Sequence, residues 1–128
     1  MTLQELLDKI EKDLYLMDMP VDEVEITLRP YSKTYYGRYY TDGRLYLYPF
    51  KDKKGGYLPY SQIILTAIHE MCHHIQHSDP RFVRYKGIMH NADFWCMYHY
   101  YVNLAEDLGI LERKEDDRCQ SLKEPLIC

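Results

Sequence analysis

Hydrophobic positions recur at helical spacing at the start of the chain, at strand spacing in its middle, and at helical spacing again over its second half. Leu3, Leu6, Leu7, Ile10, Leu14 and Met17 form the first stripe and predict an amphipathic helix over 2–18. Thr2 is placed to cap it, Glu5 completes a capping box, and Pro20 closes the segment. Val24, Ile26 and Leu28 then alternate with Glu25, Thr27 and Arg29, a strand with one buried face. A Tyr- and Thr-rich strand over 33–41 follows, then Asp42-Gly43 as a two-residue hairpin turn, then a strand from Arg44 that alternates Leu45 and Leu47 with Tyr46 and Tyr48. Residues 51–56 read as a mobile basic loop hinged at Gly55-Gly56. Ser61 is the expected cap of a second helix that runs to Pro80. Residues 81–90 form an irregular connection containing Gly87. Asn91 caps a third helix, with an apolar stripe from Phe94 to Leu108 and Gly109 at its end. The pattern predicts one α+β domain over 1–128: an N-terminal helix, a small three-stranded antiparallel sheet and two further helices, with a charged tail from about 111 to 128.

Composition changes this picture in three places. The chain carries 14 tyrosines against 3 phenylalanines, which suits half-buried strands and groove walls. The net charge of −4 argues against a chain devoted to nucleic acid, but the charge is unevenly spread. Acids crowd the first 28 residues. Arg29, Lys33, Arg38, Arg44, Lys51, Lys53 and Lys54 dominate 29–54, interleaved with tyrosines, as a surface for a phosphate backbone and stacked bases would be. The same pattern also describes a solvated outer sheet face. Cys72, Cys96, Cys119 and Cys128 include no C-x-x-C pair, so neither a zinc ribbon nor a thioredoxin-type motif is present. With no signal segment and no apolar run near the ~18 residues of a membrane span, the expectation is a cytoplasmic chain with reduced thiols and no membrane partner.

The second helix carries His69-Glu70-Met71-Cys72-His73, an H-E-x-x-H pattern. Residues four apart are neighbours one turn up a helix, so both imidazoles reach one ion, and Glu70 sits about 100° from His69, beside the metal without having to bind it. Water activated by zinc at such a site loses its proton near neutral pH, and Glu70 is the group placed to accept it. On the helix wheel Ile64, Ala67, Ile68, Met71, Cys72 and Ile75 form the face to be buried. His69 and His73 fall opposite, with Gln62, Thr66 and Glu70, so the helix is expected to pack through one side and present a polar site on the other. His74 lies about 140° from His69 and cannot share the ion. His77 is on the right face but roughly 12 Å along the axis, as a border residue. His73 and His77 form a rival pair that lacks the carboxylate after its first histidine.

A third protein ligand must come from elsewhere. The extended motif of metzincins would need Gly and His where this chain has Gln76 and Asp79. The best candidate is His90 in "GIMHNADFW", at the start of the third helix; Glu106 on that helix is its rival. Asp93 suits a helix N-terminus or an outer contact to the site, and His99 reads as a packed mid-helix residue.

"HEMCHHIQ" followed by "GIMHNADFW", with "GRLYLYPF" before them, resembles the SprT-like metalloprotease domain over residues 35–100 or so. The resemblance implies a minimal zincin-like fold and a zinc-dependent peptidase holding one Zn2+ through His69, His73 and His90, with Glu70 as general base. Some members of that family act on proteins bound to DNA. Many carry a C-terminal ribbon of paired cysteines, whereas Cys119 and Cys128 stand alone here, and the glycine usual after the third histidine is Asn91. The expected partner is a protein or peptide substrate lying extended along a sheet edge at residues 44–49, with DNA as a further partner. An oxyanion donor is expected among the tyrosines or at His77. Two other readings stand beside this one: a non-catalytic zincin-fold adaptor, and a nucleic-acid binder with incidental histidines.

Overall fold

The computed structural model describes residues 1–82 and 88–112. The irregular connection around Gly87 lies partly, and the charged tail from 113 with Cys119 and Cys128 wholly, outside the described residues. The architecture is α+β: helix α1 (Leu3–Leu16), a 3-10 turn (Val21–Glu23), strands β1 (Glu25–Leu28), β2 (Gly37–Tyr39) and β3 (Arg44–Leu47), then helices α2 (Tyr60–Ser78) and α3 (Ala92–Asp107). Among the described residues no helix is long and apolar enough to cross a membrane.

α1 starts on the expected capping box. The Thr2 hydroxyl accepts from the Glu5 N–H at 3.1 Å, and Glu5 Oε1 accepts from the Thr2 N–H at 2.8 Å. Leu6, Ile10 and Leu14 bury its apolar stripe. The chain then reverses through Asp18 at φ 61°, a left-handed position that Asp tolerates better than most residues.

The sheet is mixed, not antiparallel, with order β1-β3-β2. β1 runs parallel to β3, pairing Ile26 with Leu45 and Leu28 with Leu47, and β2 runs antiparallel to β3, pairing Gly37 with Leu47 and Tyr39 with Leu45. Residues 44–47 are therefore the central strand rather than an edge. Leu45 and Leu47 are 0% and 1% exposed, so the central place goes to the strand with the strongest apolar alternation. The hairpin loop is longer than a two-residue turn: the Tyr40 N–H donates to the Arg44 carbonyl and the Gly43 N–H to the Tyr40 carbonyl, with Gly43 at φ 99°. Asp42 instead accepts from the Arg44 amide and guanidinium. The 51–56 loop is closed by a bridge between Phe50 and Tyr57, with Gly55 at φ 93°.

α2 begins at Tyr60 behind Pro59 and has no side-chain cap, so Ser61 is inside the helix rather than ahead of it. The helix is buried on more than its apolar side. Ile64, Ala67, Ile68, Met71 and Cys72 are 0% exposed, but His69 at 1%, Glu70 at 0% and His73 at 4% are covered as well. α1, the sheet and α3 all pack on α2, so the polar face expected to look outward is enclosed. α3 starts on the Asn91 side chain, which accepts from the Phe94 N–H at 2.9 Å, and ends at Gly109 with φ 77°. Leu111, expected to open the tail, is buried in the core.

Candidate metal centre

α2 supplies His69 and His73 one turn apart, and the turn before α3 supplies His90. The Nε2 atoms converge at 3.2 Å between His69 and His73, 3.3 Å between His69 and His90, and 3.1 Å between His73 and His90. These three histidines form a group able to hold one metal ion. Glu106, the rival third ligand, is not part of it: it lies near the far end of α3, while His90 precedes that helix.

Aromatic rings set the imidazole planes. His73 stacks on Phe94 at 4.5 Å and 24°, His90 stacks on Trp95 at 5.4 Å and 24°, and Tyr98 meets His69 edge-on at 5.8 Å. The apolar surround has an electrostatic result. Burial, then the neighbouring His73 and His90, lower the His69 pKa to about 3, and burial lowers that of His90. At neutral pH both rings are uncharged and keep a lone pair for a metal. His99, mid-helix, stacks on Trp95 at 6.3 Å, a packed position as its place suggested.

Glu70 is wholly buried, neither carboxylate oxygen has a hydrogen-bond partner, and burial pushes its pKa well above the ordinary value. The nearby backbone of Tyr39 is the group that opposes this rise. His69 Nδ1 is likewise buried without a hydrogen-bond partner. Orphaned buried polar atoms on two successive residues are rare in structural positions and mark a site built for something else.

Three contributors escaped the sequence reading. Gly37 lets β2 lie directly on α2: a Cβ there would meet Thr66 Cγ2 at 2.5 Å and Glu70 Cγ at 3.1 Å. Gln76, seen in the sequence only as a mismatch to a longer motif, is 3% exposed and donates to the Met89 carbonyl at 2.7 Å, tying the residue before His90 to α2. Tyr39 brings its backbone to Glu70. In the β2–β3 ladder Tyr36 bonds Tyr48 and Tyr40 bonds Arg44, so by alternation the N–H and C=O of Gly37 and Tyr39 face the outer edge. A lone glycine within the tyrosine-rich strand was the only signal for the first of these; the others depend on contacts distant in sequence.

The bystander histidines fall where helix geometry put them. His74 is outside the cluster, its ring nitrogens meeting the Tyr39 hydroxyl and the Glu23 carboxylate. His77 is exposed, its ring 6.5 Å from that of Tyr39. No protein-family model, characterised protein or solved structure shows significant similarity to the chain.

Proposed function

We propose that this chain is a zinc-dependent metallopeptidase of SprT-like, zincin type. The observation that carries the reading is the triangle of Nε2 atoms, 3.1–3.3 Å on a side, beside a buried carboxylate on the same helix. Tetrahedral zinc with Zn–N bonds of ~2.0–2.1 Å separates its nitrogen ligands by about 3.3 Å, so the donor set fits that ion. The cluster has three protein ligands among the described residues, whereas structural zinc sites are closed by four, which favours a catalytic site over an adaptor.

Zinc held by His69, His73 and His90 would supply Lewis acidity to a substrate carbonyl and to water. Glu70 takes a proton from the attacking water and passes it to the leaving amine. Its burial makes it a stronger base than an exposed carboxylate, and zinc bound at the three histidines would favour its ionised form. The substrate chain lies along the outer edge of β2, where the N–H and C=O groups of Gly37 and Tyr39 lie over Glu70, and not along residues 44–49.

Metal analysis joined to Glu70→Gln tests this reading. One zinc per chain is expected in both proteins, with casein-type cleavage only in the wild type. Zinc loss on Glu70→Gln, or a wild type that purifies metal-free and cannot be loaded, contradicts it.

A second reading, contact with nucleic acid, is favoured by the outward face of the sheet. There Arg29 lies over Tyr46, Arg38 over Tyr35 and Tyr40, and Arg44 over Tyr40. It expects salt-dependent binding of single-stranded oligonucleotides that survives His69→Ala and falls with Arg38→Ala. Binding that is indifferent to salt or to Arg38 removes it.

A further inference from the structure

His74 is 6% exposed and sits between two polar partners on different elements. Its Nε2 is 2.8 Å from Glu23 Oε1 and its Nδ1 is 2.9 Å from the Tyr39 hydroxyl. The Glu23 carboxylate only accepts, so the imidazole proton is on Nε2. In the neutral ring Nδ1 is then the acceptor and the Tyr39 hydroxyl donates to it. A single imidazole thus joins the 3-10 turn, α2 and β2. Tyr39 is also the residue whose backbone approaches Glu70. Two residues earlier, Gly37 gives close contact with Thr66 and Glu70. β2 is thus held against α2 at both ends of its three-residue length.

We propose that the Glu23–His74–Tyr39 chain is a clamp that sets the outer edge of β2 at a fixed height over Glu70, making His74 and Tyr39 positioning residues for the substrate backbone. This rests on the peptidase reading. A peptide paired with β2 takes its register from the strand, and the scissile carbonyl takes its position from that register. Displacement of a bound substrate by about 1 Å costs on the order of 10²-fold in rate, so a loose β2 lowers turnover more than it weakens binding. None of the three metal ligands belongs to the clamp, so zinc affinity is expected to survive its loss.

The test compares Tyr39→Phe, His74→Leu and His74→Gln with the wild type as folded, zinc-loaded protein. Tyr39→Phe removes one hydroxyl and keeps the ring, so it separates the clamp from any folding defect of His74→Leu. The readouts are zinc affinity, amide hydrogen exchange of residues 37–40, and the kcat and KM of casein-derived peptide cleavage. Tyr39→Phe and His74→Leu should keep wild-type zinc affinity, exchange faster over 37–40, and lose about 10- to 100-fold in kcat with a smaller change in KM. His74→Gln, whose amide can both donate to Glu23 and accept from Tyr39, should recover part of both. Wild-type exchange over 37–40 in both Tyr39→Phe and His74→Leu overturns the clamp. Faster exchange with unchanged kcat overturns its role in positioning. A wild type that binds zinc and cleaves no peptide overturns the peptidase reading and the substrate role together, while the exchange arm still decides whether the clamp holds β2.

Discussion

His73 and His74 are adjacent in the chain and almost equally buried, at 4% and 6% exposed, yet they belong to different kinds of structure. His74 spends both ring nitrogens on protein partners, a tyrosine hydroxyl and a carboxylate. His73 turns its Nε2 into a space shared with His69 and His90, in a cluster that also buries Glu70 without hydrogen bonds. A buried polar group partnered across elements holds those elements together; the Glu70 carboxylate and His69 Nδ1, buried without hydrogen bonds beside the converging Nε2 atoms, are held there by the rest of the fold for a ligand. Asp13 behaves like His74: it is 7% exposed, 2.5 Å from the Tyr60 hydroxyl and 3.8 Å from Lys9 Nζ, and it ties α1 to α2.

The contrast is broken most severely by exchanging the fates of the two histidines. Removing a direct ligand, as in His73→Ala or His90→Ala, should lower zinc affinity by well over the 10- to 100-fold typical of losing an outer-shell contact, whereas His74→Leu should leave it unchanged. Calorimetric zinc titration reads both. Equal losses in His73→Ala and His74→Leu would erase the distinction. Glu70→Gln comes next, with about 10²- to 10⁴-fold lost in kcat at full zinc occupancy. Gln76→Leu cuts the tether to Met89, so His90 is held less firmly and zinc affinity should fall by about 10- to 100-fold.

Stability sharpens the same comparison. Gly37→Ala forces a methyl group onto Thr66 and Glu70 and should cost about 1–3 kcal/mol in urea unfolding. In the metal-free protein the two orphaned groups give opposite pH dependences. His69 is lowered from 6.5 to about 3, so its contribution is complete above pH ~6.5 and is lost as pH falls toward ~3. Glu70 is raised above 4.5, so its contribution is complete below that value and is lost as pH rises through its folded-state pKa. Glu70→Gln should therefore remove the loss that comes with rising pH and leave the acid limb unchanged in melting curves taken across pH. Asn91→Ala, which deletes the α3 cap, gives the smallest change, about 0.5–2 kcal/mol.

Much of this was legible in the sequence because it is local. The capping box at Thr2 and Glu5, the strand alternation through Leu45 and Leu47, the Asn91 cap and the turn-to-turn spacing of His69 and His73 all lie within a few residues. In the sequence His90 is the favoured third ligand because it precedes the Asn91 cap at a helix start, with Glu106 left as its rival until the three Nε2 atoms are seen to converge. What stayed hidden depends on packing between distant segments. The parallel pairing of β1 with β3 is decided by which strand takes the centre of the sheet, and so residues 44–47, expected at an edge, are central. The helix wheel separated apolar from polar positions on α2 correctly, but it gave no sign that α3 and β2 cover the polar ones. Ser61 has the chemistry of a cap, yet Pro59, with its preset φ, starts the helix before it.

The central claim is one zinc ion held by His69, His73 and His90 with a position left for substrate. X-ray absorption of zinc-loaded protein tests it most directly. The expected spectrum shows imidazole nitrogen at ~2.0–2.1 Å with an oxygen neighbour and no sulfur, at one zinc per chain, and it changes when His90 is replaced by alanine. A sulfur shell, or a spectrum unaltered by His90→Ala, would contradict the account.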